Sequence, residues 1–516
     1  MSQEIMPSMA DSPDDPTTAV ATELQPPLQS HHDAAPDVEN PPPVEAERIQ
    51  QSDTDDKFSR IYKVTPYMRS HSLNNGQVYD PAVLSLGPYH HSKPHLRPME
   101  KHKEKTLQYF FKVSMRWDEN KDRKFFHDEI KSNIERIKNS YEEVPFGNDE
   151  LAEIILRDAC FLIDFIHSFT IGGAVYLFAS DYGMAAGVLM QRDLFMLENQ
   201  IPFWLVILLL ESRHGKDKAD KILSEYLSLI CHQIDGKTNI RSLPWKDDDG
   251  NGRCRLPVHL LEATRQILLK REEKVDTKSC FLTKILGSCC KRIINWSWTT
   301  KSAAPAPAPA PDADSESSRS SSSMENEQFL ELLNFPCRSV TYLQTKGIYF
   351  RPSSQGLLDI RFVSYHVYGV LHLPILVVNR DTKVFFSNMA AFEMSPHNLT
   401  DGEFLSYLNF MKPLMETAKD VKELRERGIL FSSLGSDEEV VNVFKEIDTY
   451  GADNYKDFLE VKSAISKHCR SKGKTWMADL AHTYCRSPWA AIAVFAGVFV
   501  LCLTFLQTFY TIHPVE

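Results

Sequence analysis

The 516-residue chain is long enough for two or three domains, and its apolar content (42%) and charged content (25%) are those of a globular protein. Its formal net charge of −11 resides in residues 1–57, which hold thirteen acids and two bases, so the rest of the chain carries equal numbers of each sign. A neutral body lacks the electrostatic footprint of a nucleic-acid binder, and ten scattered cysteines with no CxxC pair exclude a disulfide scaffold.

Residues 1–57 also hold nine of the 29 prolines and few large apolar side chains. Such a segment cannot bury enough surface to offset the entropy of ordering and is expected to be a disordered acidic tail. It contains no apolar run of the signal-peptide kind.

Residues 58–275 read mainly as helices. Phe126, Ile130, Ile134, Ile137 and Tyr141 recur at three- and four-residue spacing over 125–141. Leu151, Ile154, Ile155, Ala159, Leu162, Ile163 and Ile166 repeat the pattern over 150–169. Residues 201–211 are apolar on all sides, which predicts a helix at the centre of the core, with Pro202 in its first turn and Asn199 as a candidate cap. Two more helices are expected near 217–233 and 257–271.

Residues 276–323 read as a variable insert. Its last part, 301–323, is a Pro-Ala run followed by a Ser run, a stiff spacer joined to a flexible one. Within the insert, Cys289 and Cys290 lie beside Lys291, Arg292, Trp296 and Trp298. They are either a lipidation site or ordinary reduced thiols in a loop.

Residues 324–470 begin with short segments rich in β-branched and aromatic residues, at 347–352, 357–363, 366–378 and 383–388. These predict a small antiparallel sheet, with Asn379-Arg380-Asp381 as a tight turn between two strands. Helices resume at about 401–427, stopped by Gly428, and at 437–460, capped by Ser436 with Asp437, Glu438 and Glu439 in the first turn.

Residues 471–487 connect the body to 488–512, a stretch without Asp, Glu, Lys or Arg. As a helix, Trp489 to Ile512 would rise about 36 Å, enough for a hydrocarbon core of about 30 Å. Lys462, Lys467, Arg470, Lys472, Lys474 and Arg486 precede it, which orients the body to the cytosol. The expectation is a C-terminal transmembrane helix and a single-pass, tail-anchored protein in the plasma membrane or an endomembrane. Asn-X-Ser/Thr triplets at Asn295 and Asn398 would matter only in the opposite topology. The expected fold class is therefore α+β: a predominantly α-helical body, a small antiparallel β-sheet in the second half, and one C-terminal transmembrane helix.

Several blocks together resemble the plant domain-of-unknown-function 247 family. They are IYKVTPYMR (61–69), YDPAVLSLGPYHH (79–91), LRPMEKHK (96–103), RDACFLIDFI (157–166), RDLFMLENQIPFWLV (192–206), LLDIRF (357–362), LHLPILVV (371–378), SNMAAFE (387–393), DVKELRERGIL (420–430), GSDEEVVNVF (435–444) and the apolar 487–512. The chain departs from the family pattern at Ala159, where Gly is frequent, and at Tyr342, where Glu is frequent. The resemblance implies a mostly uncharacterised, plant-specific protein without an established activity. It also implies single-pass membrane attachment, and some members are linked to the self-incompatibility loci of grasses.

Chemistry-bearing clusters are few. His90, His91, His95, His102 and Glu100 could ligate zinc, but Pro88, Pro94 and Pro98 interrupt the segment, and a turn whose histidines bond backbone groups is the competing reading. Glu198-Asn199-Gln200 is either a buried site or a turn whose side chains satisfy free backbone groups. Gly473-Lys474-Thr475 lacks the earlier glycine of a phosphate loop, because position 468 is His. Asp158 and Asp164, six apart in an apolar helix, are read as pairing with Arg157 or facing solvent. No catalytic residue, cofactor or metal is assigned. The function expected is non-catalytic binding of an unidentified protein partner. The alternative is an enzyme of unknown class with a site near His90 and His91.

Overall fold

In the computed structural model, residues 60–71, 77–112, 119–171, 183–240, 242–246, 255–270, 339–353, 355–396, 400–452, 454, 457–471 and 488–512 are described. The acidic tail, the 276–323 insert with Cys289, Cys290 and Asn295, Asn398 and Gly473-Lys474-Thr475 lie outside them.

The first half is helical. It runs through α1 (Pro66–His71), α2 (Arg97–Lys112), α3 (Glu119–Ser132), α4 (Ile134–Asn139), α5 (Asn148–Thr170), α6 (Met184–Asp193), α7 (Phe203–His214), α8 (Lys216–Asp235) and α9 (Leu260–Leu269). Helix α5 is the hub, packing against α2, α3, α7 and α8. Its apolar positions recur at helical spacing, and Asp149 and Glu150 sit at the positive end of its dipole. Leu151, Ile155, Ala159, Leu162 and Ile166 are all buried. The helix expected over 125–141 is two helices, α3 and α4, broken at Asn133. There Asn133 Nδ2 donates back to the Glu129 carbonyl, a local bond of the kind that competes with helix continuation.

The second half contains α10 (Val340–Thr345), β1 (Ile348–Pro352), β2 (Arg361–Ser364), β3 (Gly369–Leu373), β4 (Leu376–Val378), α11 (Thr382–Glu393), α12 (Glu403–Met411), α13 (Ala418–Glu426), β5 (Leu430–Ser432), α14 (Asp437–Glu446) and α15 (Leu459–Arg470). The expected antiparallel sheet is corrected to two small sheets. In the order β1-β3-β2, β3 runs antiparallel to β2 but parallel to β1. Strand β4 leaves that sheet and pairs parallel with β5. Gly369 makes the β2–β3 pairing possible, because a Cβ there would stand 2.6 Å from the Phe362 ring.

Residues 383–388, read as a strand, belong to helix α11. Asn379 does form the turn, but its Oδ1 accepts from the Asp381 and Thr382 backbone N–H groups and launches a helix. Helix α11 is buried on nearly all sides. The six residues 383–388, three of them apolar, are too few to separate the two periods.

The expected helix over 437–460 ends as α14 at Glu446, and α15 starts only at Leu459. Ser436 caps α14 through Glu439 N, 3.2 Å away, and Gly428 follows α13 with φ +69°. Asp420 closes the start of α13 by accepting from Thr417 N, and its other oxygen accepts from Thr341 N at the start of α10. One carboxylate thus caps two helices. Tyr342, where the family often has an acid, lies under Lys346, whose Nζ is 5.6 Å from the ring centroid.

The buried apolar side chains of both halves form one continuous cluster, from Ile61 to Ile465. Asn388 on α11 joins the halves directly, donating to the Val78 carbonyl and accepting from Leu197 N.

The apolar C-terminal stretch forms a helix, α16 (Pro488–Ile512). The expectation of a transmembrane anchor, and with it the single-pass localisation, is corrected: among the described residues no helix is long and apolar enough to cross a membrane.

Candidate functional site

The sequence singles out two polar segments, 85–103 and 198–200, and the structure brings them together. Residues 82–87 run as an irregular loop under the α5 and α6 helices, so their backbone groups need partners that no ladder supplies. Buried side chains take that role. Asp193 Oδ2, at the end of α6, accepts from Ala82, Val83 and Leu84 N at 2.9, 2.8 and 3.0 Å. Asn199 Oδ1 accepts from Leu86 N, and its Nδ2 donates to the Leu84 and Asp193 carbonyls. Asp158 Oδ2 accepts from Gly87 N. Gln200 Nε2 donates to the Leu194 and Met196 carbonyls. Asn199 therefore does not cap α7, whose cap residue is Pro202.

Glu198 reaches the other way. It accepts from Val64 N at 2.7 Å and from Arg69 at 2.6 Å, with His90 Nε2 at 3.4 Å. Burial works to raise its carboxyl, but the bonds from His90 and Arg69 and the Arg69 charge hold it below the usual range. Asp193 shows the opposite balance: burial outweighs its three backbone donors and Arg192 and raises its carboxyl.

Beneath the loop lies a fully buried cation. Lys103 Nζ stands 2.5 Å from Asp158 Oδ1 and 2.5 Å from Glu100 Oε1, and donates to the Ser85 carbonyl. Asp158 is thus neither solvent-facing nor paired with Arg157. Arg157 lies 3.5 Å from Glu100 instead. Asp164 is the second acid of that helix, and burial raises its carboxyl against the charge of Arg213.

The histidines disperse. His91 Nδ1 is 3.6 Å from Glu100, His95 Nε2 is 3.0 Å from the Pro81 carbonyl, and His102 meets Phe161 edge to face. Among the described residues no group of three or more His, Cys, Asp or Glu could hold a metal ion. Cys160 and Cys231 are buried, and burial pushes both thiols well above the ordinary range, away from thiolate chemistry. In chemical terms, the loop and turn form a clamp in which Asp158, Asp193, Asn199 and Gln200 are engaged with backbone groups, while His90 Nδ1, His91 Nδ1 and Glu100 Oε2 beside it are buried without a hydrogen bond among the described residues.

An open cleft of about 480 Å³ lies between the C-terminal ends of α8 and α9, lined by Lys237, Thr238, Asn239, Lys270 and Gln355 among others. Lys237 Nζ is committed to the Ser353 carbonyl at 2.6 Å. Asp235 is committed to Lys237 N and Thr238 N.

Sequence reasoning did not find the outer face of the β1-β3-β2 sheet. The strands alternate, with Ile348, Phe350, Leu371 and Leu373 turned to the core and Tyr349, Val363 and Val370 turned away. Register aligns Tyr349 with Val370 and Val370 with Val363, and one step along aligns Arg351 with His372 and His372 with Arg361. The β2–β3 hairpin, closed by Tyr365 N to the Tyr368 carbonyl, adds two rings. Tyr365 and Tyr368 stack at 4.8 Å, and Tyr349 meets Tyr368 edge to face at 5.9 Å. Tyr349, Val363, Tyr365, Val367 and Tyr368 are each 41–47% exposed. Single exposed apolar residues are ordinary, but a contiguous aromatic set of this kind marks interaction sites. The signal in the sequence was the period-two placement of Tyr349 and Arg351, obscured because aromatic and aliphatic residues occur on both faces of these strands.

Residues 61–503 match the DUF247 family, described as plant protein of unknown function. The UPF0481 protein At3g47200 of Arabidopsis thaliana is 24% identical over 459 residues, covering 84% of this chain and 83% of its own. The putative UPF0481 protein At3g02645 of the same plant is 24% identical over 484 residues, covering 84% of this chain and 86% of its own. No solved structure matches.

Proposed function

The chain belongs to the DUF247 family of plant proteins, and from that premise we propose that it is a protein-binding factor without catalytic activity, which engages its partner through the outer face of the β1-β3-β2 sheet. The exposed, mutually stacked Tyr349, Tyr365 and Tyr368 carry this reading. Tyrosine supplies a large, rigid contact area at low entropic cost, which is why it dominates binding hot spots. The polar residues of the 82–87 clamp support the same reading, since their donors and acceptors are spent on backbone groups.

The test is recovery of the tagged full chain from plant tissue. The wild type should bring down one protein in near-stoichiometric amount, and a Tyr349→Ser/Tyr368→Ser variant should lose it. Recovery of the same partner with the variant, or of the wild-type chain alone from every tissue, would refute the proposal.

A further inference from the structure

The chemistry of that sheet face narrows the kind of partner, on the premise that the face binds protein. It carries two rows one strand-step apart: an apolar row, Tyr349–Val370–Val363, in which Val370 is covered and Tyr349 and Val363 are open, and a basic row, Arg351–His372–Arg361. Two residues along a strand span about 7 Å, so a partner must offer two different chemistries at that separation. Within the basic row, Arg361 is held by Asp359, with Nε 2.7 Å from Oδ1. Arg351 is exposed on β1, and among the described residues it forms no ion pair. The field it contributes is felt by His372, whose imidazole is lowered first by burial and then by Arg361 and Arg351. Among the described residues the face therefore has a cation without an ion-pair partner beside an aromatic cluster.

We propose that this face binds an extended segment of a partner polypeptide in which a carboxylate side chain stands two residues from an apolar one. The carboxylate meets Arg351, whose planar fork suits a bidentate contact. The apolar side chain lies against Tyr349 and Tyr368. Side chains two apart on an extended segment share one face, which matches the two rows of the sheet.

The experiment uses the purified full chain and three labelled synthetic peptides, with the patterns Glu-X-Phe, Lys-X-Phe and Glu-X-X-Phe in an otherwise neutral background, read by fluorescence anisotropy. The Glu-X-Phe peptide should bind about tenfold more tightly than the other two, a difference of about 1.4 kcal/mol. Arg351→Glu should reverse the order of the Glu-X-Phe and Lys-X-Phe peptides. Tyr368→Ser should weaken both about fivefold or more. Both positions are exposed, and unchanged melting temperatures show that the variants fold.

Equal binding of the three peptides, or an unchanged preference in Arg351→Glu, would overturn the proposal. So would a concentration-dependent dimer lost in Arg351→Glu, which would make the occupant a second copy of this chain. Polyphosphate binding that ignores Tyr368 would also overturn it. If peptide preference fails while Tyr349→Ser/Tyr368→Ser still loses the stoichiometric partner, the partner class is wrong and the protein-binding function stands. If the double variant keeps its partner, the function itself falls.

Discussion

Lys103 is the strictest test of how the 82–87 clamp is held. It is fully buried, between the buried Asp158 and Glu100, and it also bonds the Ser85 carbonyl. Lys103→Met keeps the shape of the side chain and removes the charge. Breaking a buried pair on one side costs about 3–5 kcal/mol, because the remaining charge is stranded. The orphaned Ser85 carbonyl adds about 1–3 kcal/mol, so a total of about 5 kcal/mol is expected. With an unfolding entropy of about 2.1 cal/mol/K per residue over an ordered body of roughly 400 residues, this lowers the melting temperature by about 6 °C. Burial already raises the Asp158 carboxyl against Lys103. Without the lysine, the folded state binds that proton more tightly than the unfolded state. The deficit should therefore be smallest near pH 3.8 and grow as pH rises through the folded value. Lys103→Met/Asp158→Asn removes the stranded charge while keeping an acceptor for Gly87 N, and should recover more than half of the loss. Calorimetry of the purified full chain and both variants at several pH values measures all of this. A single variant that melts with the wild type, or a double variant no better than the single, would refute the assignment of Lys103 and Asp158 as a mutually dependent pair.

Three further outcomes follow from local geometry. Gly87 has φ +72°, and a Cβ there would stand 2.7 Å from the Gln200 carbonyl, so Gly87→Ala should lower the melting temperature by several degrees, whereas Gly147→Ala, with open space around it, should not. Asn388→Ala strands the Val78 carbonyl and Leu197 N and should cost about 2–5 kcal/mol in denaturant titration. His259 Nδ1 accepts from Glu262 N at the start of α9, and burial, with Arg255 nearby, pushes its imidazole down to about 3. The unfolded chain then binds the proton more readily, so stability should hold above about pH 6.5 and fall as pH drops towards 3. His259→Asn keeps an acceptor at the cap and should flatten that part of the pH profile.

Where the sequence was legible, local physics decided the outcome. The 3.6-residue period of Leu151 to Ile166 announces α5, and Ser436 and Gly428 mark real helix ends. The turn at Glu198-Asn199-Gln200 could be read as a satisfier of backbone groups, but not which ones, since Val64 and Leu86 lie more than a hundred residues away. Asp158 was matched to its neighbour Arg157 because its true partner, Lys103, comes from another helix. The strand expected at 383–388 is part of α11, because six residues with three adjacent apolar side chains are too short to show a period. The parallel pairing of β1 with β3 and of β4 with β5 depends on chain crossovers rather than on local pattern. At the C-terminus, composition foretold the α16 helix, and the step from helix to membrane span was the part that failed.

The most direct measurement is site-specific photo-crosslinking in plant tissue. A photoreactive side chain at Val363, exposed on the edge strand β2 of the sheet face, is compared with one at Tyr109, exposed on α2. Binding through the sheet predicts one discrete crosslinked protein from position 363 and none of that mass from position 109. Crosslinking of that protein from position 109 but not from position 363 would place its site elsewhere and contradict the function proposed for this face.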